Sequence, residues 1–176
     1  MKKPRTTIAQ HTPPPVKPRC TDSTVALHFW SAWTKTQPAF NPAVENLTAL
    51  VLDSERRIVG AHPVKSKSFG DAQRFADELF QAPYLRGVPE FLLVQSRPSA
   101  AVRASDADKA RVRAIILAGR ARRTELLDCL ICGKPEAVPF GGVFSFHHLK
   151  AFSAVDPFAK SPKKARQIKT ELEAAR

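Results

Sequence analysis

The chain lacks any apolar run that approaches the roughly 20 residues of a membrane-spanning helix. Lys2, Lys3 and Arg5 could serve as the charged start of a signal peptide, but prolines at 13–15 follow where such a peptide needs an apolar stretch. Cysteine is scarce and odd in number, at three, which does not suggest a disulfide framework. These shortages predict a cytoplasmic protein with no membrane partner.

Acidic residues are also in short supply, with 16 Asp and Glu against 28 Lys and Arg, for a net charge of +12. Much of the excess is terminal, because residues 1–20 contain five basic residues and no acid, and residues 160–176 contain six basic residues and two acids. Basic tails suit polyanions, since neutralised phosphates release their counterions. We therefore expect nucleic acid as a partner; solubility alone is the alternative. The candidate contacts are Lys2, Lys3, Arg5, Lys163, Lys164 and Arg166.

The length of 176 residues fits one domain with tails. Residues 1–20 are rich in proline and predict a disordered, basic tail. Residues 21–152 form the expected single domain, and residues 153–176 a charged tail that is either disordered or helical.

Hydrophobic spacing predicts the order α-β-β-α-β-α-β-β, which indicates an α/β fold whose mixed sheet is flanked by helices. The first helix begins at Asp22 or Ser23 and should bury a stripe of Val25, Phe29, Trp30 and Trp33. A second helix opens at Gly70 or Asp71. The expected strands cover residues 47–53, 57–64, 90–95, 125–133 and 143–149.

A third helix should begin after Ser105, with Asp108 completing a capping box. Its predicted core face combines Ala110, Ala114, Leu117 and Ala121, widened by Val112, Ile115 and Ile116. Arg113, Arg120 and Arg123 could contact phosphate, but we favour a solvated helix face as the explanation of these arginines.

Several segments together resemble the JAB/MPN domain of RadC-like proteins over residues 23–150. The family has a V-L-x-L-D strand and an arginine-containing hairpin turn, which residues 49–53 and 56–58 match. Its R-E-V-F helix is similar to residues 77–80, its L-D-H strand to 127–133, and its closing S-F strand to Ser145 and Phe146. The resemblance implies a cytidine-deaminase-like fold.

The family signature H-N-H-P-S-G-D-P-x-P-S-x-x-D aligns without a gap to residues 95–108. Four of its positions are retained, namely Pro98, Ser99, Ser105 and Asp108. In working JAB proteins the two histidines and the aspartate bind zinc, and a nearby glutamate acts as general base. The resemblance therefore places a former zinc site at Gln95, Arg97, Ser105 and Asp108.

The histidine positions hold Gln95 and Arg97 here. An amide is a weak ligand, and a guanidinium stays protonated and cannot ligate. Residues 58–69, where the resemblance expects the glutamate, contain no carboxylate. We expect Arg97 instead to form an ion pair with Asp108 where the metal would sit, while capping alone is a second explanation of Ser105 and Asp108.

A second possible metal set consists of Cys129, Cys132, His147 and His148. Both cysteines lie in an apolar, β-rich run, where residues three apart point to opposite faces of a sheet. We therefore favour structural cysteines over a zinc site. His62, in the second strand of the hairpin, is interpreted as a surface histidine.

These observations predict a non-catalytic RadC-like domain, in effect a pseudoenzyme, that acts as a binding or scaffold module for protein or nucleic acid and has no cofactor. The name of the family also suggests an association with DNA repair. The alternatives are a zinc-dependent metallopeptidase or hydrolase of the JAB family, and a protein that binds metal through Cys129 and Cys132.

Overall fold

The computed structural model describes residues 17–98, 102–133 and 142–146. Within them the elements follow the predicted order: α1 (Ser23–Thr34), β1 (Asn46–Leu52), β2 (Ile58–Pro63), α2 (Ala72–Gln81), β3 (Glu90–Ser96), α3 (Asp106–Arg122), β4 (Glu125–Cys132) and β5 (Val143–Ser145). A short 3₁₀ helix, Pro83–Leu85, lies between α2 and β3. The predicted α/β fold with a mixed sheet is confirmed. Residues 1–16 and 147–176, which contain most of the expected tails, lie outside the described residues.

The five strands form one sheet in the order β2-β1-β3-β4-β5. Strands β3 and β4 are parallel and are joined through α3, whereas the other neighbours are antiparallel. In the antiparallel pairing of β1 with β3, Asn46 lies opposite Ser96. The start of β1 and the end of β3 therefore meet at one edge of the sheet, close to where α3 begins.

Each strand alternates its side chains between two hydrophobic cores. On one face of the sheet, residues such as Ala49, Leu93 and Cys129 pack with α2 and α3. On the other face, residues such as Leu50 and Val94 pack with α1. The described residues therefore form three layers, with α1 on one side of the sheet and α2 and α3 on the other.

Helix α1 begins at Asp22, whose carboxylate accepts a hydrogen bond of 3.0 Å from the Val25 amide. Trp30 is fully buried, and its indole nitrogen donates to the Thr48 hydroxyl at 3.1 Å. Of the predicted stripe, Val25, Phe29 and Trp33 are only half-buried. The buried face is instead centred on Ala26, Leu27, Trp30 and Thr34, because α1 covers the sheet along a narrow contact.

The residues just before α1 contact the hairpin, although the sequence places them in the tail. Arg19 forms an isolated antiparallel bridge with Arg57, and the Pro18 carbonyl accepts a 3.0 Å hydrogen bond from the Ile58 amide. Cys20 is buried in the core of the α1 face. The contacts of the domain thus begin before residue 21.

The predicted core face of α3 is wrong in part. Ala110, Leu117 and Ala121 are exposed, while Ala114 is buried as expected. Val112, Ile115 and Ile116, which were expected to widen that face, are buried as predicted, and Asp108 and Gly119 are buried with them.

Gly119 permits the chain to fold back from α3 into β4. A Cβ atom at this position would lie 2.3 Å from the Thr124 carbonyl oxygen and 3.1 Å from Phe80. The Thr124 amide also donates to the Gly119 carbonyl at 3.0 Å, so this turn cannot move away without losing a hydrogen bond.

Gly119→Ala should therefore destabilise the domain by about 1–3 kcal/mol, the usual cost of overpacking. Urea unfolding followed by circular dichroism measures the change. Gly70→Ala is the matched control, because its Cβ would meet nothing within 4 Å. Equal stability of the two variants would contradict this explanation of the turn.

Candidate functional site

A cluster of charged and polar side chains occupies the sheet edge where β3 ends and α3 begins. Gln95 is the second-to-last residue of β3, and Arg97 directly follows the strand. Ser105 is the N-cap of α3, and Asp108 lies in its first turn. The capping box predicted there is present: the Ser105 hydroxyl accepts from the Asp108 amide at 3.2 Å, and the Ser105 amide donates to Asp108 Oδ2 at 2.8 Å.

The Asp108 carboxylate is the centre of this cluster and is only 1% exposed. Arg97 Nη2 donates to its Oδ1 at 2.6 Å, and Arg111 donates to the same oxygen. The Ser105 hydroxyl donates to Oδ2 at 2.5 Å. Burial alone would raise the pKa of Asp108, but the hydrogen bonds from Arg97, Ser105 and Arg111 outweigh it and hold the pKa well below its usual range.

Arg97 uses all three of its nitrogens. In addition to Asp108, it donates from Nε to Glu45 Oε1 at 3.3 Å and from Nη1 to the Arg103 carbonyl at 3.2 Å. Its side chain is 11% exposed. Burial would lower the pKa of Arg97, but the contacts with Asp108 and Glu45 raise it overall, so the guanidinium remains charged. The ion pair expected between Arg97 and Asp108 is therefore present.

Glu45 is a member of the cluster that the sequence did not indicate. It accepts a hydrogen bond from the Gln95 side-chain amide as well as from Arg97. The residue directly precedes β1, and the antiparallel register that pairs Leu47 with Gln95 brings it to the end of β3. Glu45 lies 50 residues from Gln95 in the sequence, so only the pairing of β1 with β3 brings the two side chains together.

Arg111 is the second unexpected member, since the sequence suggested only a surface charge. It lies one helical turn after Asp108, and its side chain is 14% exposed. The guanidinium also lies over the rings of Phe69 and Phe75, at 5.4 and 5.9 Å from their centroids. The three-residue spacing of Asp108 and Arg111 on one helix could have predicted their ion pair from the sequence.

The cluster leaves little free space on its inner side. The cavity between it and the core has a volume of ≈10 Å³ and is lined by residues that include Gln95, Asp108, Arg111 and Cys129. That volume is about what one water molecule needs. A substrate therefore has no room between the Asp108 carboxylate and the core.

Cys129 and Cys132 lie on opposite faces of β4, as the strand alternation predicts. Cys129 belongs to the core beneath α2 and α3, and Cys132 to the core beneath α1. Burial raises the pKa of both thiols, that of Cys132 to about 12. The two sulfurs cannot share one metal ion in this arrangement. His147 and His148 lie outside the described residues.

Among the residues that the structure describes, no group of three or more His, Cys, Asp or Glu side chains could hold a metal ion. His62 stacks on Tyr84 with a centroid distance of 4.5 Å, and burial lowers the pKa of its imidazole. The nucleic-acid candidates Lys2, Lys3, Arg5, Lys163, Lys164 and Arg166 fall outside the described ranges. In the described part, no helix is both long and apolar enough to cross a membrane.

The fold agrees with the match to a protein family. The model of the RadC-like JAB domain matches residues 22–150, and the chain belongs to that family. Comparison with curated proteins gave no match.

The residues present do not fit the zinc ion that the family resemblance implies. A zinc site needs imidazoles, thiolates or carboxylates whose lone pairs are directed at the metal. Here the Asp108 carboxylate accepts from two guanidinium groups and a hydroxyl, and the Gln95 amide is bonded to Glu45. A dication at this position would also face the positive charges of Arg97 and Arg111.

Proposed function

We propose that this RadC-like JAB domain is a non-catalytic binding module whose partner is nucleic acid. The observation that supports the proposal most directly is the contact of 2.6 Å between Arg97 Nη2 and Asp108 Oδ1. In the family alignment, Arg97 takes the place of a zinc-binding histidine. A permanently protonated group in that place opposes metal binding and satisfies the carboxylate without it.

Residues 58–69, where the family resemblance expects the general base, contain no carboxylate. Outside that segment, Glu45 is hydrogen-bonded to the side chains of both Gln95 and Arg97. A base must accept a proton from a metal-activated water, whereas the Glu45 carboxylate accepts hydrogen bonds from the side chains at the two former histidine positions. The charged cluster thus supports a structural role: it joins the loop before β1, the end of β3 and the start of α3.

Nucleic acid is proposed as the partner because the net charge is +12 and the basic residues are concentrated near both ends of the chain. Such a distribution of charge attracts phosphate over several ångströms, and the resulting binding depends strongly on salt. An association with DNA repair and a cytoplasmic location belong to the same proposal.

Elemental analysis of the purified full chain tests the loss of metal binding. We expect less than about 0.1 zinc per chain in the wild type, since a true zinc site binds stoichiometrically. The double variant Gln95→His/Arg97→His restores two imidazoles beside Asp108 and should take up more zinc than the wild type.

Adding Asp108→Ala to that double variant provides the control, because it removes the third ligand and should abolish the gain. About one zinc per wild-type chain that disappears on Asp108→Ala would contradict the proposal and favour the metallopeptidase. Wild-type zinc that disappears on Cys132→Ala instead would favour the cysteine site.

A further inference from the structure

The exposed face of α3 bears more positive charge than its surroundings can neutralise. Residues 102–123 contain seven basic side chains and two acidic ones. Three of the basic residues have acidic partners, as Arg111 pairs with Asp108, Lys109 with Asp106, and Arg122 with Asp77. The other four have no ion pair with any described residue: Arg103, Arg113, Arg120 and Arg123.

Two of these unpaired arginines lie in line with Lys109 along the helix. At 100° per residue, Lys109, Arg113 and Arg120 fall within about 40° of one another around the axis. All three are exposed. We call this row of three residues the α3 ridge. At 1.5 Å per residue it is about 16 Å long, which equals about five phosphate steps of one DNA strand at 3.4 Å each.

The exposed side chains beside the ridge include two alanines, one leucine and the carboxylate of Asp106, which pairs with Lys109. Ala110 and Ala121, which the sequence placed in the core, are exposed next to it, and Leu117 is 40% exposed. Short neighbours let a phosphate backbone approach the helix closely enough for the longer arginines to reach it. The face lacks the broad, bulky apolar stripe with which an amphipathic helix enters a lipid surface.

From this arrangement we infer that the α3 ridge of the folded domain binds the phosphate backbone of double-stranded DNA. The inference rests on the proposed function and deepens it, because it assigns the contact to a rigid helix in addition to the basic tails. The ridge lies on the solvent side of α3, while the Arg97–Asp108 cluster lies at its buried start. Binding at the ridge does not require that the cluster change.

The test measures binding of the full chain to a mixed-sequence 20-base-pair DNA by fluorescence anisotropy between 50 and 200 mM NaCl. Arg113→Gln/Arg120→Gln removes two ridge charges. Lys35→Gln/Arg86→Gln removes two exposed charges at the end of α1 and after the 3₁₀ helix, and so has the same net charge. A third variant, Lys2→Gln/Lys3→Gln/Arg5→Gln, reduces the charge of the N-terminal tail.

We expect the ridge variant to bind about tenfold more weakly than the wild type at 100 mM NaCl. Its slope of log affinity against log salt should fall by about 2, roughly one for each lost phosphate contact. The Lys35/Arg86 variant should retain the wild-type slope. Similar losses of DNA affinity in the ridge variant and the Lys35/Arg86 variant would overturn the proposed binding at the ridge, since they would reflect net charge alone.

Two other outcomes separate the ridge from the wider proposal. If only the N-terminal tail variant loses DNA affinity, the proposed binding at the ridge is overturned, while the proposal of nucleic-acid binding stands. If the wild type does not bind the DNA, both fail; wild-type binding to phosphatidylserine vesicles in its place would identify a lipid surface as the partner.

Discussion

Arg97→Glu should leave the domain unfolded or only marginally stable. The substitution replaces a buried guanidinium with a carboxylate that faces Asp108 and Glu45. Breaking a buried ion pair typically costs about 3–5 kcal/mol, and a like charge adds to that cost. Domains of this kind have only about 5–15 kcal/mol of total stability. Urea unfolding, followed by circular dichroism and tryptophan fluorescence, measures the loss.

The matched control for this experiment is Arg113→Glu, which makes the same charge change at an exposed position without an ion pair to any described residue. It should unfold close to the wild-type midpoint. An Arg97→Glu protein as stable as Arg113→Glu would show that the cluster contributes little to folding. The explanation of the lost zinc site by a stabilising ion pair would then fail.

Asp108→Asn should cost about 3–5 kcal/mol, because it leaves Arg97 and Arg111 buried without their shared counter-charge. The amide keeps the size of the side chain, so the loss reports charge more than packing. Asp106→Asn is the control on the same helix turn. The Asp106 side chain is 98% exposed, so the loss of its charge should barely shift the urea midpoint. Equal effects of the two variants would contradict the assigned role of Asp108.

The pH dependence of the unfolding free energy, compared between the wild type and Asp108→Asn, gives an independent check. The pKa of Asp108 is lower in the folded protein than its ordinary value of 3.8. Its stabilising contribution is therefore complete above about pH 5 and is lost as the pH falls below 3.8 toward the folded pKa. The stability difference between wild type and Asp108→Asn should be constant from pH 7 to 5 and shrink in stronger acid. A difference that grows on acidification would contradict this assignment.

Much of the fold could be predicted from local patterns, for identifiable reasons. Asp22 and Ser105 were recognisable as helix caps, because capping depends on residues three positions apart. The opposite orientations of Cys129 and Cys132 follow from the alternation of a strand. The Arg97–Asp108 pair could be predicted because the family resemblance placed both residues at one site.

The core face of α3 shows where local pattern fails. Apolar residues occur nearly all around this helix, so several arcs fit a period of 3.6 residues equally well. The arc with Ala110, Leu117 and Ala121 was expected to be buried and is exposed. The buried arc also contains Asp108 and Gly119, whose contacts with Arg97 and Thr124 join α3 to residues outside the helix.

The sequence alone determined the order of the elements, the caps, the excess of positive charge and the absence of histidines at 95 and 97. These are properties of neighbouring residues or of the whole composition, and they need no knowledge of chain pairing. Only the tertiary structure decided that Glu45 and Arg111 join the cluster and that Lys109, Arg113 and Arg120 share an open face. The physical reason is that antiparallel pairing and helix packing bring distant residues together, and a one-dimensional pattern does not specify which face or edge they will share.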